Sequence, residues 1–174
     1  MSNAVAPIDP ARIQSMRRQV LSPLGMRAWM LVKLPLALMA GLRVTELDAD
    51  RCVVTIPYGW RSQNPFRSTY FAALSMAAEM STGALALILI QASPQPTSML
   101  ITGMTAEFIK KATSTTTFTC DAGPTLREAV MEALASGEPV TRTVESVGRL
   151  PNGEIAARFT FTWSFKRKSK GAQA

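Results

Sequence analysis

Glu79 is the residue on which chemistry could rest in this chain. It is the only acid in a long apolar stretch from Asn64 to Gln91, NPFRSTYFAALSMAAEMSTGALALILIQ. At about 100° per residue, Ser68, Ala72, Ser75, Glu79, Thr82, Gly83 and Ala86 share one helical face. Every member of that face except Glu79 is small, whereas Tyr70, Leu74, Met80, Leu85, Leu87 and Ile88 make the opposite side bulky. A carboxylate in such surroundings is costly to keep ionised unless a cation pairs with it or water reaches it. Two readings follow: a base whose pKa is raised by burial, or one half of an ion pair made across a dimer with an arginine such as Arg43 or Arg158.

Other chemistries are narrowed by what the chain lacks. It contains no histidine, which excludes Ser-His-Asp and Cys-His catalysis and leaves only scattered carboxylates and two cysteines for a metal. No metal site is expected. Cys52 and Cys120 each lie in an apolar, β-branched segment and read as buried reduced thiols, which suits a cytoplasmic location. Hydroxyls, carboxylates and backbone groups remain to do the work.

The elements that position Glu79 can be read from periodicity. Residues 1 to 8 look like a leader; Asp9-Pro10 is a helix start, with Ile13, Met16 and Val20 at helical spacing before Ser22-Pro23. Leu24 to Val32 and Pro35 to Ala40 read as two further short helices. From Leu42 the period becomes two, and Asp48-Ala49-Asp50 joins strands over Leu42 to Leu47 and Arg51 to Tyr58. The polar loop GWRSQNPFR leads into the central helix, which SPQP (Ser93 to Pro96) stops. Strands follow over Ser98 to Lys110 and Thr113 to Asp121, the second Thr-rich as a solvent-facing strand should be. Gly123-Pro124 opens a short helix that Gly137 closes. Val140 to Arg149 and Glu154 to Lys166 form a hairpin around Asn152-Gly153. In its second arm Ile155, Ala157, Phe159, Phe161, Trp163 and Phe165 share a face that should pack on a helix.

The expected fold is therefore α+β: about six mostly antiparallel strands wrapping one long helix, with a helical extension over 1–37 and a basic, flexible tail over 167–174. At 174 residues, 47% hydrophobic and 18% charged, one domain with extensions is expected. Leu24 to Leu42 and Tyr70 to Ile90 are long enough to raise the membrane question. The first carries Arg27, Lys33 and Pro35 and the second Glu79, so buried core helices are expected and membrane contact is not. The net charge of +7 is concentrated in the KRKSK run from Lys166, read as a solvated tail; no motif for specific nucleic-acid binding accompanies it.

These residues resemble a known family. A strand pair, a loop with Asn, a long apolar helix, then TAEFIKKA, TTTFTCDAG and VESVGRLPNGEIAARFTFTW are similar to the hot-dog fold, over about residues 38–166. The likeness is to the PaaI-like acyl-CoA thioesterases and the related domains of unknown function (DUF4442-like) beside them. That family's motif is an Asn, then His-Gly-Gly six residues later, then an acid nine after the His. Here Asn64, Tyr70-Phe71-Ala72 and Glu79 stand at those spacings.

The resemblance implies an acyl-CoA thioesterase-like hydrolase with Glu79 as general base or nucleophile, and Asn64, from the neighbouring subunit, orienting water or the carbonyl. It places the Phe71 backbone N–H at the thioester oxygen and Tyr70, Ala72, Ser75, Thr82 and Gly83 along the substrate channel. It implies a homodimer or tetramer acting on a small acyl thioester, with coenzyme A as part of the substrate and no separate cofactor. Arg61, Arg67, Lys110 and Lys111 are candidates for its phosphates. Tyr-Phe-Ala in place of His-Gly-Gly departs from the pattern and raises an alternative, a non-catalytic acyl- or lipid-binding module. A third reading is a peripheral membrane protein using its N-terminus and basic tail.

Overall fold

The computed structural model describes residues 6–168. The first five residues of the expected leader and residues 169–174 of the expected tail lie outside the described residues.

Three helices precede the sheet. In α1 (Pro10–Val20), Asp9 accepts a hydrogen bond from the Ala11 N–H at 2.9 Å, and in α2 (Pro23–Lys33) Ser22 caps Gly25. Short α3 (Pro35–Ala40) ends on Gly41 in the left-handed region, φ 85°, where glycine carries no Cβ penalty. Strands β1 (Arg43–Leu47) and β2 (Cys52–Ile56) form the first antiparallel pair, their turn held by Asp48 accepting from the Asp50 and Arg51 amides. The central helix α4 (Phe71–Ala92) is followed by β3 (Thr97–Phe108), β4 (Thr116–Cys120), α5 (Gly123–Ser136), β5 (Val140–Arg149) and β6 (Ile155–Arg167).

One six-stranded sheet, every pairing antiparallel, runs in the order β1-β2-β4-β5-β6-β3. It curls around α4, which packs on β2, β4, β5 and β6, while α1 and α5 cover other sides. Leu85, Ile88 and Leu89 of α4 are buried, each stabilising the fold by about 2 kcal/mol. The aromatic row of β6 faces this core as its alternation predicts: Phe159, Phe161, Trp163 and Phe165 are buried, and Phe118 of β4 meets Phe159 edge-on at 5.7 Å. Buried polar groups are matched. Ser81 shares a 2.7 Å hydrogen bond with Ser146, and the Trp163 indole N–H donates to Thr82 Oγ1 at 3.1 Å.

One expectation is refined and another corrected. The Thr-rich strand β4 is solvent-facing on one side only: it lies between β2 and β5, with Thr116, Phe118 and Cys120 buried and Thr117 and Thr119 half-buried on the other side. Threonine suits that place because its branched side chain packs on a pleated surface. Leu24 to Leu42 does not form buried core helices. Within α2 only Met30 is buried, and within α3 only Ala37 and Ala40, because the sheet and α5 already occupy most of the surface of α4.

Docking of α5 depends on the absence of a side chain at its first residue. The Gly123 N–H donates to the Asp50 carbonyl at 3.0 Å, and a Cβ there would lie 2.3 Å from the Ala49 carbonyl oxygen. Backbone cannot yield as a flexible side chain does. Gly123→Ala should cost about 2–3 kcal/mol, read as a lowered urea midpoint with an unchanged m-value.

Candidate active site

Glu79 is half-buried on α4 and faces a cavity of about 290 Å³. One wall is α4 itself, through Met80, Gly83, Leu87 and Ile88; the roof is Met16 and Val20 of α1 with Met26 and Trp29 of α2. Gly83 makes room for the acid, since a Cβ there would stand 2.7 Å from Glu79 Oε1 and 3.3 Å from the Trp163 ring. Trp163 is fixed in turn by its bond to Thr82, whose hydroxyl donates to the Glu79 carbonyl at 3.0 Å.

Among the described residues nothing forms an ion pair or hydrogen bond with the Glu79 carboxylate. Within the same chain, Arg158 pairs with Glu145 at 3.1 Å and Arg43 lines a different cavity, so neither pairs with the Glu79 of its own chain. Burial pushes the Glu79 carboxyl above the usual carboxylate range, as expected where desolvation meets no compensating charge.

The second half of the expected site lies at the start of α4. Tyr70 is extended, φ −63° and ψ 136°, and makes no side-chain cap. Its N–H donates to the Ser62 carbonyl and its carbonyl accepts from Ala73, while the Phe71 and Ala72 amides find no acceptor among the described residues. These are the free donors that a helix start presents, at the positive end of its dipole. The Thr69 N–H and hydroxyl both donate to the Ala112 carbonyl, which brings the segment after β3 beside this helix start.

The expected site residues divide between these places. Gly83 shares the cavity with Glu79, but Thr82, expected to line the channel, is buried and holds Trp163 instead. The Ser75 hydroxyl donates to the Phe71 carbonyl, and Ala72 is half-buried in the first turn. Tyr70 is half exposed and meets Phe71 edge-on at 4.8 Å; Phe71 also meets Phe108 at 6.4 Å. Asn64 holds its own loop, accepting from the Phe66 and Ser68 amides at 3.0 and 3.2 Å and donating to Ser68 Oγ.

The candidate phosphate ligands scatter as well. Arg67, at φ 57°, and Lys111 flank the helix start; Lys110 pairs with Glu154; Arg61 faces the cavity that Arg43 lines. Cys52 and Cys120 are register partners on β2 and β4, both free and buried. Burial raises the Cys120 thiol to about 11 and Cys52 further, so neither is a thiolate nucleophile at neutral pH. The roof of the Glu79 cavity was not read from the sequence. Its available signal was Leu24 to Leu42, more apolar than two short surface helices need.

A single antiparallel sheet gripping one long apolar helix in this manner is the hot-dog fold. Solved structures share it: a protein of unknown function from Pseudomonas aeruginosa, described as a probable thioesterase, is 21% identical, with a TM-score of 0.72 over 84% of this chain and 97% of its own. A protein of unknown function from Chlorobaculum tepidum is 14% identical, TM-score 0.73, over 92% and 98%. A Haemophilus influenzae thioesterase is 10% identical, TM-score 0.62, over 92% and 94%. Among curated proteins none matches. At such identities the likeness establishes the fold alone. The family is defined separately: the chain belongs to the domain of unknown function family DUF4442, whose model matches residues 25–164.

The raised Glu79 pKa has a fixed sign in stability. Between the ordinary glutamate value, about 4.3, and the higher folded value, the native state holds the proton more tightly, so stability falls as pH rises; above the folded value the loss is constant. Glu79→Gln should therefore raise the unfolding free energy at pH 8. That gain should shrink towards zero below about pH 4, as chemical denaturation across pH would show.

Proposed function

We propose that this protein is a hot-dog acyl-CoA thioesterase-like hydrolase working as a homodimer, with Glu79 as its base or nucleophile. The observation that carries the reading is the unpaired carboxylate in an apolar cavity of the central helix. Among the described residues of its own chain no cation pairs with it, and the carboxylate faces space. As a base, Glu79 takes a proton from water as its oxygen attacks the thioester carbonyl. The carbonyl oxygen gains negative charge, and free helix-start amides are suited to stabilise it. Collapse of the tetrahedral intermediate expels the thiolate of coenzyme A, a good leaving group because a thiol is a comparatively strong acid.

The two halves of this chemistry are drawn from two copies of α4. Phe71 and Glu79 are eight residues apart, which at 1.5 Å per residue is about 12 Å along the helix. The carboxylate also lies towards Gly83, away from the helix start, which favours a donor from a second chain. A two-fold dimer supplies it by presenting the partner's helix start to Glu79. The edge strand β3 supports such pairing: it is 12 residues long, unpaired on its outer side among the described residues, and leaves Leu100, Met104 and Phe108 exposed. Arg67 and Lys111 beside the helix start would then meet the coenzyme A phosphates. The free thiols of Cys52 and Cys120 fit a cytoplasmic location.

One observation favours a second reading, a non-catalytic acyl-binding module: Phe71 occupies a position where the resembling family carries glycine, and its ring packs against Phe108. Hydrolysis decides between them. The first reading expects turnover of at least one member of a panel of acyl-CoAs, rising with pH through the raised Glu79 pKa. Glu79→Ala should reduce kcat/KM by at least about a hundredfold while circular dichroism stays native. Saturable acyl-CoA binding without turnover at any chain length would favour the second.

A further inference from the structure

The helices before the sheet carry a surface unlike the rest of the molecule. On α2 and α3, Leu24 is 81% exposed, Val32 74%, and Leu31, Leu36 and Met39 each 65%. Singly, exposed aliphatic residues need no explanation; several on one short helical pair do. The same segment has a one-sided charge. Between Asp9 and Glu46 there is no acid, while Arg12, Arg17, Arg18, Arg27, Lys33 and Arg43 are all cationic. Arg12 pairs with Asp9, and the other five have no ion-pair partner among the described residues.

A cavity of about 550 Å³ opens at this surface, bounded by Met30, Leu38 and Met39 and by the arginines Arg27, Arg43 and Arg61. The arginines come from α2, β1 and the loop before α4, and among the described residues no carboxylate lines the space they share. Guanidinium groups gathered without a counter-charge repel one another, and an anion held among them relieves that repulsion. Their planar forks match phosphate oxygens two at a time.

Apolar residues beside unpaired cations are the chemistry of an interfacial helix on an anionic membrane. Self-association through this face fits poorly, because a two-fold contact sets the same patch against itself and so cation against cation. We propose that the α2–α3 face docks on an anionic phospholipid bilayer, with Leu31, Val32, Leu36 and Met39 entering the interface and Arg27, Arg43 and Arg61 holding a lipid phosphate. The proposal departs from the expectation of no membrane contact, which rested on reading Leu24 to Leu42 as buried core. It is independent of the reaction at Glu79, although Val20 and Met26 line both cavities and so place the docked face one layer of side chains from that acid.

The test is co-sedimentation of the full chain with phosphatidylcholine vesicles, with and without phosphatidylglycerol. Binding should require phosphatidylglycerol and weaken with added salt. Arg27→Gln with Arg43→Gln should lower partitioning about twenty-five-fold, two charges at roughly fivefold each. Leu31→Ser with Leu36→Ser should also weaken it, and both exposed pairs should keep the wild-type melting temperature. Should either pair fail to fold, the wild-type comparison of the two vesicle types still decides. The proposal is overturned if neither vesicle is bound, if phosphatidylglycerol makes no difference, or if folded Arg27→Gln with Arg43→Gln binds as wild type does. Loss of an oligomer in Leu31→Ser with Leu36→Ser, with no vesicle binding by the wild type, would identify a self-interface instead. Binding of coenzyme A at these arginines without vesicle association would likewise overturn it.

Discussion

Everything in this molecule answers to a helix that has no polar face. A 22-residue helix whose bulky side is Leu, Ile and Met and whose other side is Ala, Ser, Thr and Gly cannot lie on a surface as an amphipathic helix does. It must be enclosed. The sheet supplies most of the enclosure by curling around it, α5 adds a second cover, and α1 with α2 closes much of the remaining side. Although its length and composition also suit a membrane span, α4 is the buried core helix of the fold.

The same constraint produces the candidate site. An acid placed on such a helix has no route to bulk water unless a cavity is left beside it, and here the cavity is made by subtraction. Gly83 withholds a side chain where the Glu79 carboxylate lies, and Trp163, held by Thr82, is kept back from it. Among the described residues the carboxylate gains neither a cation nor a hydrogen bond, so the desolvation that raises its pKa is uncompensated. Such uncompensated burial, beside a cavity, is what makes Glu79 the candidate for chemistry. The roof comes from helices outside the sheet core, so residues that contribute little to the central packing shape the space in front of the acid.

How legible this was in the sequence differs from element to element. The period of two in Ile155 to Phe165, the Asn-Gly turn before it and the change to a helical pattern after Asn64 each report a local preference that the fold respects, so strand order along the chain and the aromatic core could be read directly. Glu79 was legible because a lone acid in an apolar run is anomalous wherever it falls. Thr82 and Asn64 were less legible, because their hydroxyl and amide groups serve equally for substrate contact or internal hydrogen bonding: within its own chain Thr82 takes the Trp163 indole, and Asn64 braces its loop. The Leu24 to Leu42 stretch misled for a related reason. Apolar content says that a segment avoids water when it can, but whether a neighbour is available to cover it depends on the space already filled by the sheet and α5.

The central claim is that Glu79 and the free amides at the start of α4 act on one carbonyl from two different chains. Proline at the first helical position removes an N–H while leaving helix geometry undisturbed, so Phe71→Pro deletes the proposed donor and Glu79→Ala the proposed base. Acyl-CoA hydrolysis should be measured for each variant alone and for the two unfolded together and refolded as a mixed population. The account predicts two nearly inactive parents and a mixture recovering about a quarter of wild-type activity, since half the dimers are mixed and each has one intact site. A mixture as inactive as its parents, with mixed dimers shown to be present, or a Phe71→Pro variant as active as wild type, would contradict it.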